Sequence, residues 1–444
     1  MNEPTPTPAA AKPRPGSTRT RRTRRTQRLI AAGLAVAIGI LAVGGFLLFE
    51  HLRRPGNIFH PQVEFQPKPP VEPSLATAAN PPWPIYGYSK DHTRTAPVPP
   101  KLHPPFRLIW TVDGGSLLEF PPVIDHGVLF QIDDGGLLRA INAASGHVIW
   151  AQKLGTLAAS SPAASGDSVY VTLLAHGRSS AGRVVALRQR TGQIRWSRNL
   201  PSRTESSPLL DRGELYLGSE NGTVYAIDAH TGAVNWTYHA PGAVKASPTL
   251  ANGLLYFGDY SGHVQAIREA DGRRVWITGS GGLLGNGGTF YSTAAVIFGR
   301  VFLGSTDGRV YAFDAANGKL AWAHQTGSYV YSSPAVTDAP RLGPTVYIGS
   351  YDGTLYALSA FSGAVRWKYH PGGRISGSPT ILGPDLYFAD LGLHKTFALD
   401  LETGGLVYTR HSGSFDPVVS DGRLIFMSGI TGLYGLIPTG HRHA

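Results

Sequence analysis

The sequence predicts an all-β fold: an eight-bladed β-propeller of four-stranded antiparallel blades, preceded by one N-terminal transmembrane helix. Three observations predict it. Seven times a glycine is followed four residues later by a bulky aromatic, at Gly146/Trp150, Gly192/Trp196, Gly232/Trp236, Gly272/Trp276, Gly318/Trp322, Gly363/Trp367 and Gly404/Tyr408. With an eighth aromatic upstream, Trp110, these residues recur every 40–46 positions. A period of that length, rich in turn glycines, is the signature of propeller blades. Residues 29–49 form a run of 21 with no charge, long enough to span a bilayer as a helix.

Residues 1–28 read as a disordered cytoplasmic tail. They are rich in Pro, Thr and Arg, with eight basic residues between Lys12 and Arg28. The positive-inside bias then keeps this tail in the cytoplasm and places the propeller outside, on a single-pass anchor in the cell membrane. A cleaved signal peptide is the competing reading. The apolar run is longer than a usual signal core, and no small-residue cleavage site follows it at Glu50–Arg54. Much of the net charge of +11 lies in the tail, where it serves topology and contact with anionic lipid. The charge run is short and has no interleaved aromatics, so no nucleic-acid partner is expected. Residues 50–105 read as a Pro-rich linker and lead-in that holds the propeller off the membrane. There is no cysteine, which excludes disulfides, thiolate metal sites, cysteine catalysis and a lipidated N-terminal cysteine.

Residues 206–236 show one blade. Ser207–Leu210, Leu215–Gly218, Val224–Ile227 and Val234–Trp236 are short apolar or alternating runs, divided by turns at Asp211-Arg212-Gly213, Glu220-Asn221-Gly222 and Asp228–Gly232. Units of this kind cover 121–150, 160–196, 206–236, 246–276, 292–322, 332–367 and 376–408. An eighth starts at Phe415 and lacks its last strand. Phe106–Val112, with Trp110, supplies that strand and closes the ring, which removes the open edge. The propeller then covers 106–437, with a short tail at 438–444. Seven blades is the alternative count. Trp110, Trp150, Trp196, Trp236, Trp276, Trp322, Trp367 and Tyr408 are assigned to docking between blades, each indole N–H seeking a carbonyl next door.

The repeat Ala226-Ile227-Asp228-Ala229-His230-Thr231-Gly232-Ala233-Val234-Asn235-Trp236 resembles the tryptophan-docking repeat of quinoprotein-type (PQQ-like) propellers. Ala312–Trp322 and Ala398–Tyr408 follow it closely. Trp83–Gly87 with His92-Thr93-Arg94 resembles the lead-in of that family. Two branches share the repeat: dehydrogenases that use pyrroloquinoline quinone with Ca²⁺, and non-enzymatic propellers such as BamB. The resemblance to the dehydrogenases implies a vicinal disulfide over the quinone, which this chain cannot form. It also implies a calcium cluster of Glu and Asn with a catalytic Asp, which finds no match here. The BamB-like branch is therefore the nearer one, with no catalytic residue, metal site or cofactor expected. PQQ with Ca²⁺ remains the alternative.

The residue before each blade-opening small pair should reach the channel mouth. In order these are Glu119, Ala159, Glu205, Lys245, Tyr291, Tyr331, Ser376 and Ser414. Glu119, Glu205, Lys245, Tyr291 and Tyr331 form the candidate ligand-binding ring, since convergent polar groups in a concavity mark a site. Solvated channel mouths are polar as well, so the ring alone does not decide. His239, His324, His370 and His411 recur just past the docking aromatics. Blade geometry spreads them round the ring, as exposed strand-end residues rather than metal ligands. The expected function is a membrane-anchored extracytoplasmic scaffold for a protein or envelope component. The alternatives are a quinoprotein oxidoreductase and a ligand sensor that uses the channel.

Overall fold

The computed structural model describes residues 39, 56–67, 82–175, 181–280, 287–413, 415 and 418–440. The basic tail and, apart from Gly39, the apolar run 29–49 lie outside them, as does the C-terminal tail beyond residue 440. Among the described residues no helix is long and apolar enough to cross a membrane. The chain divides into two units at Gly56, and the propeller is the second.

Eight sheets make the propeller, each with four antiparallel blade strands that are consecutive in sequence in blades 1 to 7. Blade 3 is representative, with strands Leu209–Asp211, Glu214–Gly218, Thr223–Asp228 and Val234–His239 from the axis outwards. Burial follows that order: its two middle strands are almost wholly buried and its outer strand alternates. In blade 8, Phe106–Asp113 pairs outside Gly432–Pro438, so the first strand of the ring completes the last blade. The count is eight, and seven is excluded.

The repeat motif has a physical reading at each letter. Asp228 Oδ1 accepts from the N–H groups of His230 (2.9 Å) and Thr231 (2.7 Å) and from the Thr231 hydroxyl (2.9 Å). Asp400 does the same for Glu402 and Thr403. This closes the turn into the outer strand. Ala226 lies directly opposite Trp236, next to a bulge in the pairing. A small residue faces the docking ring in the other blades too, as at Ala140, Ala312 and Gly435. The turn glycine belongs to the neighbouring ring. At φ +73, Gly232 lies so close to Trp196 that a Cβ would meet the indole at 2.6 Å. The glycine-to-aromatic spacing therefore joins two interfaces: the glycine receives the tryptophan of the preceding blade, and the tryptophan docks on the next.

The docking indoles donate across these interfaces. Trp110 bonds Ala143 O, Trp150 Gln189 O, Trp196 Ala229 O, Trp236 Glu269 O, Trp276 Ala315 O, Trp322 Ala360 O and Trp367 Leu401 O, at 2.7–3.2 Å. Tyr408 instead meets Phe106 edge-on, 5.4 Å between centroids.

Of the stretch 50–105 read as linker and lead-in, the described residues 57–67 and 82–105 belong to the same compact unit as the propeller. Ile58–Phe59 adds a fifth strand outside Leu320–Gln325 of blade 5. That neighbour is buried where other outer strands alternate. Phe65 packs on Phe298 and Phe361, and Arg300, fully buried, donates to Val63 O at 2.7 Å. Farther on, residues 83–96 thread the axis. Trp83, Pro84, Lys90, Asp91, Thr93 and Arg94 offer their carbonyls in turn to N–H groups on the inner strands of blades 1, 2, 4, 5, 6 and 7. At blade 3, Lys90 Nζ reaches Asp211 at 3.0 Å. Inner strands carry an unpaired row of donors towards the channel, and this segment satisfies part of it. Tyr88, His92 and Arg94 adopt φ of 77, 51 and 54, which lets so short a segment curl inside the ring. The Pro-rich composition signalled an extended chain; it did not reveal that the extended chain is packed.

Candidate site at the channel mouth

With the lead-in occupying the lower part of the axis, one end of the channel is left open. Just beneath this mouth runs a belt of hydroxyls from the small pairs that open the blades. Ser161 N donates to Ser207 Oγ (2.9 Å), Ser247 N to Thr293 Oγ1 (3.2 Å), Thr293 N to Ser333 Oγ (3.0 Å) and Ser333 N to Ser378 Oγ (3.0 Å). Each hydroxyl thus ties one inner strand to the next.

Above the belt, Glu119, Glu205, Lys245, Tyr291, Tyr331 and Ser376 line one hollow of about 70 Å³, with Tyr86 and Phe120 among the other lining residues. The structure therefore brings the five candidate ring residues together. Ala159 is not among the lining residues, and Ser414 lies outside the described residues. A larger surface hollow of about 520 Å³ sits at the blade 7 turn near Arg341 and Glu402. Glu402 is occupied there by the N–H groups of Arg341 and Leu342, so no set of groups converges on it.

The mouth has two unlike arcs. On one, Lys245 Nζ lies 2.7 Å from Glu205 Oε1 and 3.2 Å from Glu220 Oε1, with Arg203 3.6 Å from Glu220. The ammonium also sits 5.3 Å from the centre of the Tyr260 ring. Burial favours the neutral amine of Lys245, but its bonds to Glu205 and Glu220 outweigh this and leave its pKa raised. Burial pushes the Glu220 carboxyl up, and the Lys245 bond with its charge reverses this, so the net shift is down.

The other arc is tyrosine. Tyr260 to Tyr291 is 6.4 Å, Tyr291 to Tyr331 5.9 Å, Tyr331 to Tyr351 5.0 Å and Tyr329 to Tyr331 6.0 Å between ring centres. The contacts are edge-on or tilted, the favoured geometry for aromatic pairs. Tyr351 donates to Ser376 Oγ at 3.4 Å. Tyr329 is 52% exposed and crowns the arc. The Tyr291 hydroxyl titrates well above the usual tyrosine range, first through burial and then through the charges of Glu205 and Glu119. Tyr260 is raised too, by burial and then by Glu205.

Glu220, Tyr260 and Tyr351 were not among the sequence candidates. They occupy one register position, the second residue of the hairpin turn after the blade's second strand. Each donates its N–H to the carbonyl two residues before the ring residue: Arg203 O, Ala243 O and Tyr329 O. The signal was therefore periodic and available, at the variable position of Ser219–Gly222, Asp259–Gly262 and Ser350–Gly353.

The recurrent histidines do not assemble. His239, His370 and His411 are exposed, and among the described residues no group of His, Cys, Asp or Glu could hold a metal ion. His324 departs from the expected exposed position. It is 4% exposed, with neither ring nitrogen hydrogen-bonded. Burial, then Lys368, lowers its pKa. Its ring meets Tyr356 of blade 6 edge-on, 5.6 Å between centroids.

Solved structures with the same fold include BamB from Moraxella catarrhalis, at a TM-score of 0.61 and 17% identity over 75% of this chain and 100% of that one. The quinohemoprotein alcohol dehydrogenase ADHIIG from Pseudomonas putida HK5 superposes at 0.69, with 14% identity over 83% of each chain. A europium-containing methanol dehydrogenase gives 0.66 and 14% over 81% of this chain and 91% of that one. At these identities the likeness shows the fold alone. No curated protein sequence matches. The family model described as outer membrane protein assembly factor BamB matches residues 107–176, 180–339 and 335–438, nearly the whole ring, and the chain belongs to this quinoprotein-type propeller family.

Proposed function

We propose that this protein is a membrane-anchored, extracytoplasmic propeller that binds a protein or cell-envelope component at its channel mouth and performs no chemistry. The observation that carries the reading is the mouth itself. Rigid blades hold charged and tyrosine side chains round a shallow hollow backed by the lead-in segment. Tyrosines on a rigid frame supply large amphipathic contact area at little entropic cost, as binding hot spots do. The family description points the same way, towards a protein partner. The anchor rests on the uncharged run 29–49 and the basic flank before it.

The oxidoreductase reading meets a donor set that does not fit. Ca²⁺ takes six to eight oxygens, several from carboxylates. Of the two lining carboxylates, Glu205 already holds Lys245. A hollow of about 70 Å³ is also well below the roughly 300 Å³ from which small-molecule pockets start.

The test is cross-linking capture from intact membranes with the full chain. Tyr331→Ala with Tyr351→Ala should lower recovery of the captured component about tenfold, as loss of hot-spot aromatics does. Arg212→Ala, placed away from the mouth, should leave it unchanged. Equal recovery by all three proteins would remove the mouth from the function. A saturable chromophore on adding pyrroloquinoline quinone with Ca²⁺, with dye reduction, would replace the scaffold reading by the enzymatic one. The anchor predicts retention in the membrane after carbonate extraction, and release there would refute it.

A further inference from the structure

In most blades a side-chain oxygen closes the turn into the outer strand. In blades 1, 3, 5 and 7 the Oδ1 of Asn142, Asp228, Asp314 or Asp400 accepts from the N–H groups two and three residues on, at 2.7–3.2 Å. Blade 2 runs through Ala163–Ser165, Ser168–Leu173, Arg183–Arg188 and Ile194–Asn199, and Arg188 stands at this position. Its backbone follows the same path. Arg188 N donates to Gln193 O at 2.8 Å and Gly192 N to Arg188 O at 2.9 Å, as Asp228 N does to Ala233 O and Gly232 N to Asp228 O, both at 2.8 Å. The N–H groups of Arg190 and Thr191 therefore stand where those of His230 and Thr231 stand in blade 3. Among the described residues no oxygen receives them.

Blade 4 shows what an arginine takes here. Arg268 has the same register position, and it donates to Asp271 of its own turn from Nε at 3.0 Å and from Nη2 at 2.5 Å. The corresponding residue of blade 2 is Thr191, which brings no carboxylate. None comes from the surrounding sequence either: residues 168–204 hold seven arginines and no Asp or Glu. The carboxylates of neighbouring turns are engaged. Asp167 pairs with Arg195, Asp125 receives Gln189 Nε2 at 2.8 Å, and Asp228 closes its own turn. Arg188 and Arg190 are exposed. Beside the turn, Arg188 and Arg195 line a surface hollow of about 690 Å³ with Gln152, Gln193, Ile194 and His230.

We infer that the blade 2 turn Arg188–Gly192 is a receptor for an acidic peptide segment of a protein partner. One Asp or Glu oxygen of that segment accepts from the Arg190 and Thr191 N–H groups, with the Arg188 guanidinium against the same carboxylate. The flanking residues of the segment lie in the hollow. The molecule itself shows the occupant: the filled turns of blades 1, 3, 4, 5 and 7 hold a planar carboxylate or amide, and a guanidinium pairs best with a planar carboxylate. The turn lies at the end of the third strand away from the hairpin turns of the mouth. This face is thus separate from the mouth and does not rest on the reading of it.

The test is fluorescence anisotropy of the full chain in detergent with a labelled hexapeptide of alternating Ser and Asp, and with its Ser and Asn counterpart. The Asp peptide should bind at least about tenfold more tightly than the Asn peptide and should weaken with added salt. Arg188→Asp restores the acceptor of the repeat and fills the turn from within. It should cost about tenfold or more in affinity and leave the melting temperature unchanged or higher. Should that protein melt lower, Arg188→Gln takes its place, with a several-fold loss expected. Arg273→Gln on blade 4, and Tyr331→Ala with Tyr351→Ala at the mouth, should leave peptide binding unchanged. Bound Asp peptide should slow amide exchange in a fragment covering residues 188–193.

Equal affinity for the Asp and Asn peptides would overturn the inference. So would an Arg188→Asp protein that melts no lower than wild type and binds as well. Inorganic phosphate that displaces the peptide at a lower concentration than Nα-acetyl-aspartic acid amide, at equal ionic strength, would overturn the peptide as occupant in favour of a phosphate-bearing one.

Discussion

At the scale of single residues, the glycine and tryptophan of the repeat answer to different neighbours. Gly232 is held at φ +73 with the Trp196 ring 2.6 Å from where a Cβ would sit, so Gly232→Ala meets both backbone strain and overpacking. It should lower stability by roughly 2–4 kcal/mol, read as a shift of the urea midpoint. Trp196→Phe keeps most of the ring and removes the 2.9 Å bond to Ala229 O. A loss of about 1–2 kcal/mol is expected from the missing bond and the smaller ring, again by urea unfolding. These residues were legible in the sequence because every blade repeats the same local demand. His324 and Arg300 were not. Arg300 is met by Val63 O, more than 230 positions away in sequence, and the His324 ring meets Tyr356 of the next blade at 5.6 Å; neither contact follows the period.

Among elements, the lead-in 83–96 separates most sharply what a pattern can show from what packing decides. Its Trp-Pro and His-Thr-Arg signatures were visible, while its path along the axis was not. A single pass through the ring has no periodicity, and its hydrogen bonds use backbone carbonyls that any sequence carries. The path has a measurable consequence at His92, which is buried with Nδ1 2.9 Å from Thr249 Oγ1. Burial, then the charge of Arg94, pushes its pKa from 6.5 down to about 3, against a smaller opposing effect of the Tyr86 backbone. The unfolded chain therefore takes up a proton between pH 6.5 and about 3 that the native state refuses. The stability tied to neutral His92 is complete above pH 6.5 and is lost as pH falls through that window. Urea midpoints measured from pH 7 to pH 4 should fall, and His92→Asn should flatten the decline while lowering the pH 7 value.

For the molecule as a whole, closure decides how the ring fails. Phe106–Asp113 and Gly432–Pro438 share one sheet, so the last blade needs both ends of the propeller. Deleting residues 432–444 should expose Phe106–Asp113 and open an edge on either side. The expected outcome is loss of the single cooperative transition in calorimetry, rather than a protein smaller by one blade. Blade number, closure and the candidate ring were all readable from the period. The lining partners Glu220, Tyr260 and Tyr351 needed a second periodic position, and Tyr86 needed the threaded segment. The order of that threading has a further meaning. Residues 83–94 meet blades 1, 2, 3, 4, 5, 6 and 7 in the order in which the blades occur in the chain. They also leave the ribosome before any blade does. The segment is thus a ruler laid down ahead of the object it measures. Each of the first seven blades finds one prepared mark, and the eighth is completed by Phe106–Asp113. Inserting one residue between Pro84 and Lys90 would shift every later mark, and the misfit should appear at blades 3 to 7 rather than at the site of insertion.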